Sequence, residues 1–170
     1  MRIFLVGFMY CGKTTIGKKL SKLLDYEFID TDSYIENKLN KSVSEIFSQE
    51  GETFFREQEK LCLQELAERE NIVISTGGGL PCFNSNMDKI KEIGKSIYLK
   101  LTPTQILSRA EKSKRPRPLL SNKNSEEKLQ YITSTLQERE KFYLQADVCI
   151  SALSLTNFEL EMTIEELMKD

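Results

Sequence analysis

Short, mostly apolar runs alternate along this chain with longer stretches whose apolar residues recur every three or four positions. The first run is Ile3-Phe4-Leu5-Val6, and similar ones fall at 27–29, 72–75, 96–99 and 148–150. Each is too short for a helix and rich in β-branched or aromatic residues, which predicts five strands. Helical spacing predicts helices near 13–24, 32–39, 43–69, 84–93, 103–111, 125–145 and 156–168; in the first, Ile16, Leu20, Leu23 and Leu24 share a face. Strands alternating with helices predict an α/β fold with a parallel sheet. Ligands of such folds lie beyond the carboxyl ends of the strands. No repeat or linker interrupts the pattern, so residues 1–170 read as one domain with a sizeable core. The exception is 112–124, which is basic, carries Pro116 and Pro118 and ends polar. It reads as a long loop between two helices, and such loops are often lids.

Composition narrows the classes. A hydrophobic fraction of 39% and a charged fraction of 29% suit a soluble globular protein. The net charge of −2 gives no general reason to expect nucleic-acid or membrane binding. No apolar run is long enough to span a bilayer, and the start of the chain lacks signal-peptide character. Cys11, Cys62, Cys82 and Cys149 form no C-x-x-C pair, which points to a reduced, cytoplasmic setting. Without histidine, acid–base chemistry falls to carboxylates, Lys, Tyr or Cys.

The chemistry collects at the strand ends. Gly7-Phe8-Met9-Tyr10-Cys11-Gly12-Lys13-Thr14 fits G-x-x-x-x-G-K-[ST] between the first strand and the first helix. Backbone N–H groups of such a loop converge on phosphate oxygens at the positive end of the helix. Lys13 would reach the β- and γ-phosphates and Thr14 would hold Mg²⁺, so the chain is expected to bind a nucleoside triphosphate. After the second strand comes Asp30-Thr31-Asp32. One of these carboxylates can cap the next helix. In the crevice, Asp32 could also act as base for a substrate hydroxyl, with Asp30 near Mg²⁺ through water. After the third strand come Gly77, Gly78 and Gly79, where one glycine would suffice for a turn. Three suggest backbone brought against a ligand with N–H groups free to donate. No Asp ends that strand, and Ser75 is the stand-in. Arg56, Arg117 and Arg139 complete the set, although a lone helical arginine is more often a solvated charge.

These elements together resemble the shikimate kinase family, small phosphate-loop kinases related to the nucleoside monophosphate kinases. The loop from Gly7 to Thr15, Asp30-Thr31-Asp32, Phe55-Arg56-Glu57-Gln58-Glu59, Ser75-Thr76-Gly77-Gly78-Gly79, Arg117-Pro118-Leu119-Leu120 and Arg139 before Tyr143 stand in the family's order. The resemblance implies a three-layer αβα fold with a five-stranded parallel sheet in the order 2-3-1-4-5 and a mobile lid at about 112–124. It implies a substrate-binding segment at about 32–60. The implied activity is transfer of the γ-phosphoryl of ATP, with Mg²⁺, to the 3-hydroxyl of shikimate. Asp32, Arg56, Gly77, Gly78, Gly79 and Arg139 would bind shikimate, and Lys13, Asp32 and Arg117 would carry catalysis. Gly7, Tyr10, Cys11, Gly12, Lys13, Thr14 and Thr15, with Arg109 and Arg117, would bind the nucleotide. The metal would be held by Thr14 and, through water, Asp30. The expected partner is the small-molecule substrate alone, with the chain a monomer.

Two residues depart from the family pattern. Tyr10 stands where many members carry Gly, so the loop must make room for a ring. Cys11 replaces a small Ser or Ala; it is either a plain small residue or a thiol open to alkylation and protected by ATP. Rival readings are a gluconate or nucleoside monophosphate kinase, a nucleotide-binding module without activity, and nucleic-acid binding through Lys112, Lys114, Arg115 and Arg117. Asp32 with the arginines and the triple glycine argues against the first, and the intact Lys13 and Asp32 argue against the second. The third rests on a short patch of an acidic protein.

Overall fold

Strand β1 (Arg2–Val6) runs through the middle of a five-stranded parallel sheet. The computed structural model describes residues 1–113 and 118–169. Beside β1 lie β3 (Ile72–Ser75) and β4 (Lys95–Lys100), with β2 (Glu27–Asp30) and β5 (Val148–Ser151) at the edges, in the order β2-β3-β1-β4-β5. The sheet is the middle layer of an αβα sandwich, as the family resemblance implies. Every residue of β3 is buried, as are Ile3 to Val6 of β1. Strands covered on both faces need no polar alternation, which is why they stand out as unbroken apolar runs.

Parallel neighbours cannot be joined by hairpins, so helices make the crossings. Helix α1 (Lys13–Leu24) follows β1 and buries Ile16 and Leu20. Its Gly17 lies so close to the sheet that a Cβ there would be 2.5 Å from the Phe28 ring. Helices α2 (Thr31–Leu39), α3 (Val43–Gln49) and α4 (Gly51–Ala67) join β2 to β3, and α5 (Asn86–Ile93) leads into β4. Then come α6 (Pro103–Lys112), α7 (Pro118–Ser121), α8 (Ser125–Tyr143), β5 and α9 (Asn157–Leu167).

The structure corrects the expected elements in three places. The stretch 43–69 is two helices, because Gly51 adopts φ +86, a conformation no helix interior tolerates. Asn84 and Ser85 are both left-handed, at φ 53 and 54, so the helix expected from 84 begins at Asn86. Within the loop expected at 112–124, Pro118–Ser121 forms a helical turn.

The register sets the carboxyl ends level. Ser75 pairs with Leu5 on one side and Asp30 on the other. Gly7, Thr31 and Thr76 therefore leave the sheet on one edge, and Thr76 Oγ1 donates to the Leu5 carbonyl at 2.9 Å.

Candidate active site

The loop after β1 is shaped by three residues with positive φ: Gly7 at +143, Tyr10 at +63 and Gly12 at +100. A Cβ on Gly7 would stand 2.9 Å from the Leu99 carbonyl oxygen. Tyr10 takes the left-handed conformation that glycine adopts freely and other residues at about 1–2 kcal/mol. A Gly at this position, which the family resemblance implies, would thus have a backbone reason. Gly12 is the N-cap of α1 and supplies no side-chain cap, which leaves the first amides of the helix to an anion. The Lys13 ammonium folds over the loop and donates to the Gly7 and Phe8 carbonyls, both at 2.8 Å. Thr14 and Thr15 are exposed at the helix start.

Cys11 is wholly buried, its Sγ 3.6 Å from Lys13 Nζ and 3.0 Å from where a Gly7 Cβ would sit. The expected alkylation is therefore corrected: the thiol fills space beneath the loop and presents no surface to a reagent. Arg109 reaches from α6 to the Cys11 carbonyl at 2.9 Å and to the Ala152 carbonyl at 2.6 Å. It ties the loop to the segment after β5 through these carbonyls.

Asp30 caps α2 by accepting from the Ser33 amide at 3.4 Å, and its other oxygen accepts from Thr14 Oγ1 at 3.1 Å. Two hard oxygen donors thus adjoin at the mouth of the loop. Ser75 is buried one residue before Thr76. Among the described residues, no cluster of three or more His, Cys, Asp or Glu side chains is arranged to hold a metal alone.

The triple glycine brings the remaining residues together. None of the three has a positive φ, so close approach, not backbone freedom, explains them. A Cβ on Gly77 would lie 2.5 Å from Asp32 Oδ1 and 3.2 Å from Glu59 Oε1, and one on Gly79 would lie 2.6 Å from Arg56 Nη1. At Gly78 it would lie 3.4 Å from the Met9 amide nitrogen. The Gly77 N–H is not free as expected, since it donates to Thr31 Oγ1 at 2.8 Å. Tyr143, fully buried on α8, donates its hydroxyl to the Gly78 carbonyl, and half-buried Arg139, one turn earlier, lies near enough for its charge to act on that hydroxyl. Asp32, Arg56 and Arg139 therefore converge on one glycine turn beside the phosphate loop. Arg117 lies outside the described residues.

Glu59 was quoted in the sequence motif without a role. It is 1% exposed, accepts from Arg56 Nη1 at 2.8 Å and leaves Oε1 without a partner among the described residues. Burial pushes its carboxyl up to about 7 against the attraction of Arg56. Burial also works against the Arg56 charge, yet the Glu59 charge, with the hydrogen bonds that Arg56 donates to Glu59 and Glu52, outweighs it and raises the guanidinium further. Arg56 thus stays charged while Glu59 titrates near neutrality. The i,i+3 spacing of Arg56 and Glu59 was the available signal. Arg56 Nε and Nη2 also donate to a single Glu52 oxygen, at 3.1 and 2.8 Å.

The Shikimate kinase family model matches residues 9–169. A shikimate kinase of Bacteroides fragilis is 43% identical over 170 residues, 99% of this chain and 95% of that one. The crystal structure of a shikimate kinase from Bacteroides thetaiotaomicron superposes with a TM-score of 0.90 at 41% identity, covering 98% of this chain and 96% of that one. A shikimate kinase from Acinetobacter baumannii, solved in complex with shikimate, gives a TM-score of 0.80 at 35% identity over 96% of this chain and 89% of that one.

Proposed function

We propose that this chain, which belongs to the shikimate kinase family, transfers the γ-phosphoryl group of ATP to the 3-hydroxyl of shikimate. Shikimate is a ring with one carboxylate and three hydroxyls, and one observation carries its assignment here. A carboxylate, Asp32, and two guanidinium groups, Arg56 and Arg139, meet at a glycine turn that touches the phosphate loop.

Arg56 and Arg139 bind the shikimate carboxylate, for which guanidinium forks are suited in geometry as well as charge. Gly77, Gly78 and Gly79 let the ring lie against the backbone. Asp32 accepts a hydrogen bond from the attacking hydroxyl and takes its proton as the O–P bond forms. The bond between the γ-phosphorus and the β–γ bridging oxygen breaks, and ADP leaves. Lys13 moves from its loop carbonyls to the phosphates and offsets their charge. Arg117, brought by a lid at 112–124, adds a second positive charge and helps exclude water. Gly7, Tyr10, Cys11, Gly12, Thr14 and Thr15 form the cradle, with Arg109 bracing its adenine side.

The donors at Thr14 and Asp30 fit Mg²⁺, which takes hard oxygens and is commonly held by one or two protein groups together with substrate phosphates. When bound, the ion neutralises charge on the β- and γ-phosphates. We further propose a monomeric, cytoplasmic protein with residues 1–170 as one unit and 32–60 as its substrate-binding segment. Neither nucleic acid nor membrane is a partner in this reading: among the described residues no helix is long and apolar enough to cross a membrane.

The test is ADP release in a coupled assay with Mg²⁺ and ATP, comparing shikimate, gluconate, a nucleoside monophosphate and no acceptor. Turnover only with shikimate is expected. Release that ignores the acceptor, or none at all, would sink the assignment.

A further inference from the structure

We propose that Phe83 is a positioning residue for substrate recognition, its ring fixing the plane in which Arg56 receives a carboxylate. The inference rests on the reading of Arg56 as a carboxylate anchor.

Three rings surround the Arg56 guanidinium. Phe47 and Phe55 lie 5.8 and 5.7 Å from its central carbon, while the Phe83 ring lies at 4.1 Å. The nearest contact thus comes from a phenylalanine outside the core, 36% exposed where apolar burial alone does not account for it. A flat cation stacked on an aromatic face gains from the negative ring quadrupole and is shielded from water on that side.

The backbone around Phe83 is built to hold it there. The Cys82 amide donates to the Gly79 carbonyl at 2.8 Å, closing the turn that follows the triple glycine. Phe83 is extended, and the left-handed Asn84 and Ser85 then reverse the chain into α5. Left-handed non-glycine residues are disfavoured, so two in succession need support from their surroundings. Asn86 gives it, donating its amide to the Phe83 carbonyl and its carboxamide to the Leu80 carbonyl, both at 2.9 Å. Asn84 donates its carboxamide to the main-chain carbonyl of Arg56 at 3.1 Å. Consecutive residues therefore hold Arg56 at both ends, Phe83 at the guanidinium and Asn84 at the backbone.

The outcome is a fork with one face covered by a ring. Glu59 accepts from Nη1, and one Glu52 oxygen accepts from both Nε and Nη2. A planar carboxylate can use the second N–H that Nη1 and Nη2 each still carry. An anion approaching over the face meets the ring.

The experiment titrates shikimate calorimetrically into the wild type and into Phe83→Ala, Phe83→Leu and Phe83→Tyr, with steady-state kinetics alongside. Phe83→Ala and Phe83→Leu are expected to weaken shikimate binding by about 3- to 30-fold, and Phe83→Tyr to recover most of it. The loss should fall on KM for shikimate more than on kcat or on KM for ATP. Thermal midpoints should match, since the ring is outside the core. Phe83→Leu keeps the bulk without the quadrupole, so wild-type affinity in that variant overturns the proposal. So does an equal loss of affinity for ATP. A wild type that binds no shikimate overturns the carboxylate reading and this inference together; one that binds it while all three variants match overturns this inference alone.

Discussion

Lys13 is 8% exposed, and its ammonium is satisfied by two carbonyls of its own loop. Replacing it removes those bonds from a loop already closed by its backbone, so Lys13→Ala should keep the fold. Turnover should fall by about 10²-fold or more, because a charge aimed at the transferring group is lost. Circular dichroism and ADP release check the two halves; a near-normal rate removes Lys13 from the phosphate role. Glu59 gives a pH prediction. Its folded pKa of about 7 lies above the unfolded value of 4.5, so the fold favours the protonated form. The stability it contributes is complete below pH 4.5 and is lost as pH rises to about 7. Glu59→Gln has no such proton to release. Denaturant midpoints at pH 5 and 8 should therefore fall more for the wild type than for the variant, and equal falls would rule this out. Asp32, Arg56 and Arg139 could be picked from the sequence through the motifs that contain them. Glu59, Phe83 and Tyr143 could not be assigned: spacing offered Glu59 as a partner for Arg56, but the burial and stacking that define all three show only in the fold.

The central strands were legible almost to the residue because burial on both faces strips them of most polar positions. The helix boundaries were less so, and the break between α3 and α4 shows why. Apolar spacing continues through 43–69, while the interruption is a matter of one dihedral angle at Gly51. Nothing lies within 4 Å of a Cβ placed there, so a substitution meets strain and no clash. Gly51→Ala should cost about 1 kcal/mol, the left-handed penalty partly offset by a stiffer unfolded chain. Urea denaturation measures it, and an unchanged midpoint would mean that the break does not depend on that angle. Other helix starts carry a local signal in the chain: Ser42 with Glu45, Thr102 with Gln105, Asn124 with Glu127 and Thr156 with Glu159 all form reciprocal caps.

Across the whole molecule, the proposed substrate site joins α2, α4, the turn after β3 and α8, segments that meet only because the sheet sets its strand ends level. Arg139 is the most remote contributor in sequence, and its acidic neighbours disguised it as a surface charge until the family resemblance singled it out. Its charge acts on the Tyr143 hydroxyl, which itself donates to the Gly78 carbonyl of the glycine turn. Arg139→Ala should raise KM for shikimate about tenfold or more with a smaller effect on kcat, as expected when ground-state binding is lost. An unchanged KM would take Arg139 out of the carboxylate site. The central place of β1 has a further consequence during synthesis. Its two neighbours, β3 and β4, are translated long after it, so Ile3 to Val6 leave the ribosome with no partner on either side. Until Ser75 and then Lys100 have emerged, this apolar ribbon depends on α1, on chaperones or on speed to avoid pairing with another nascent chain.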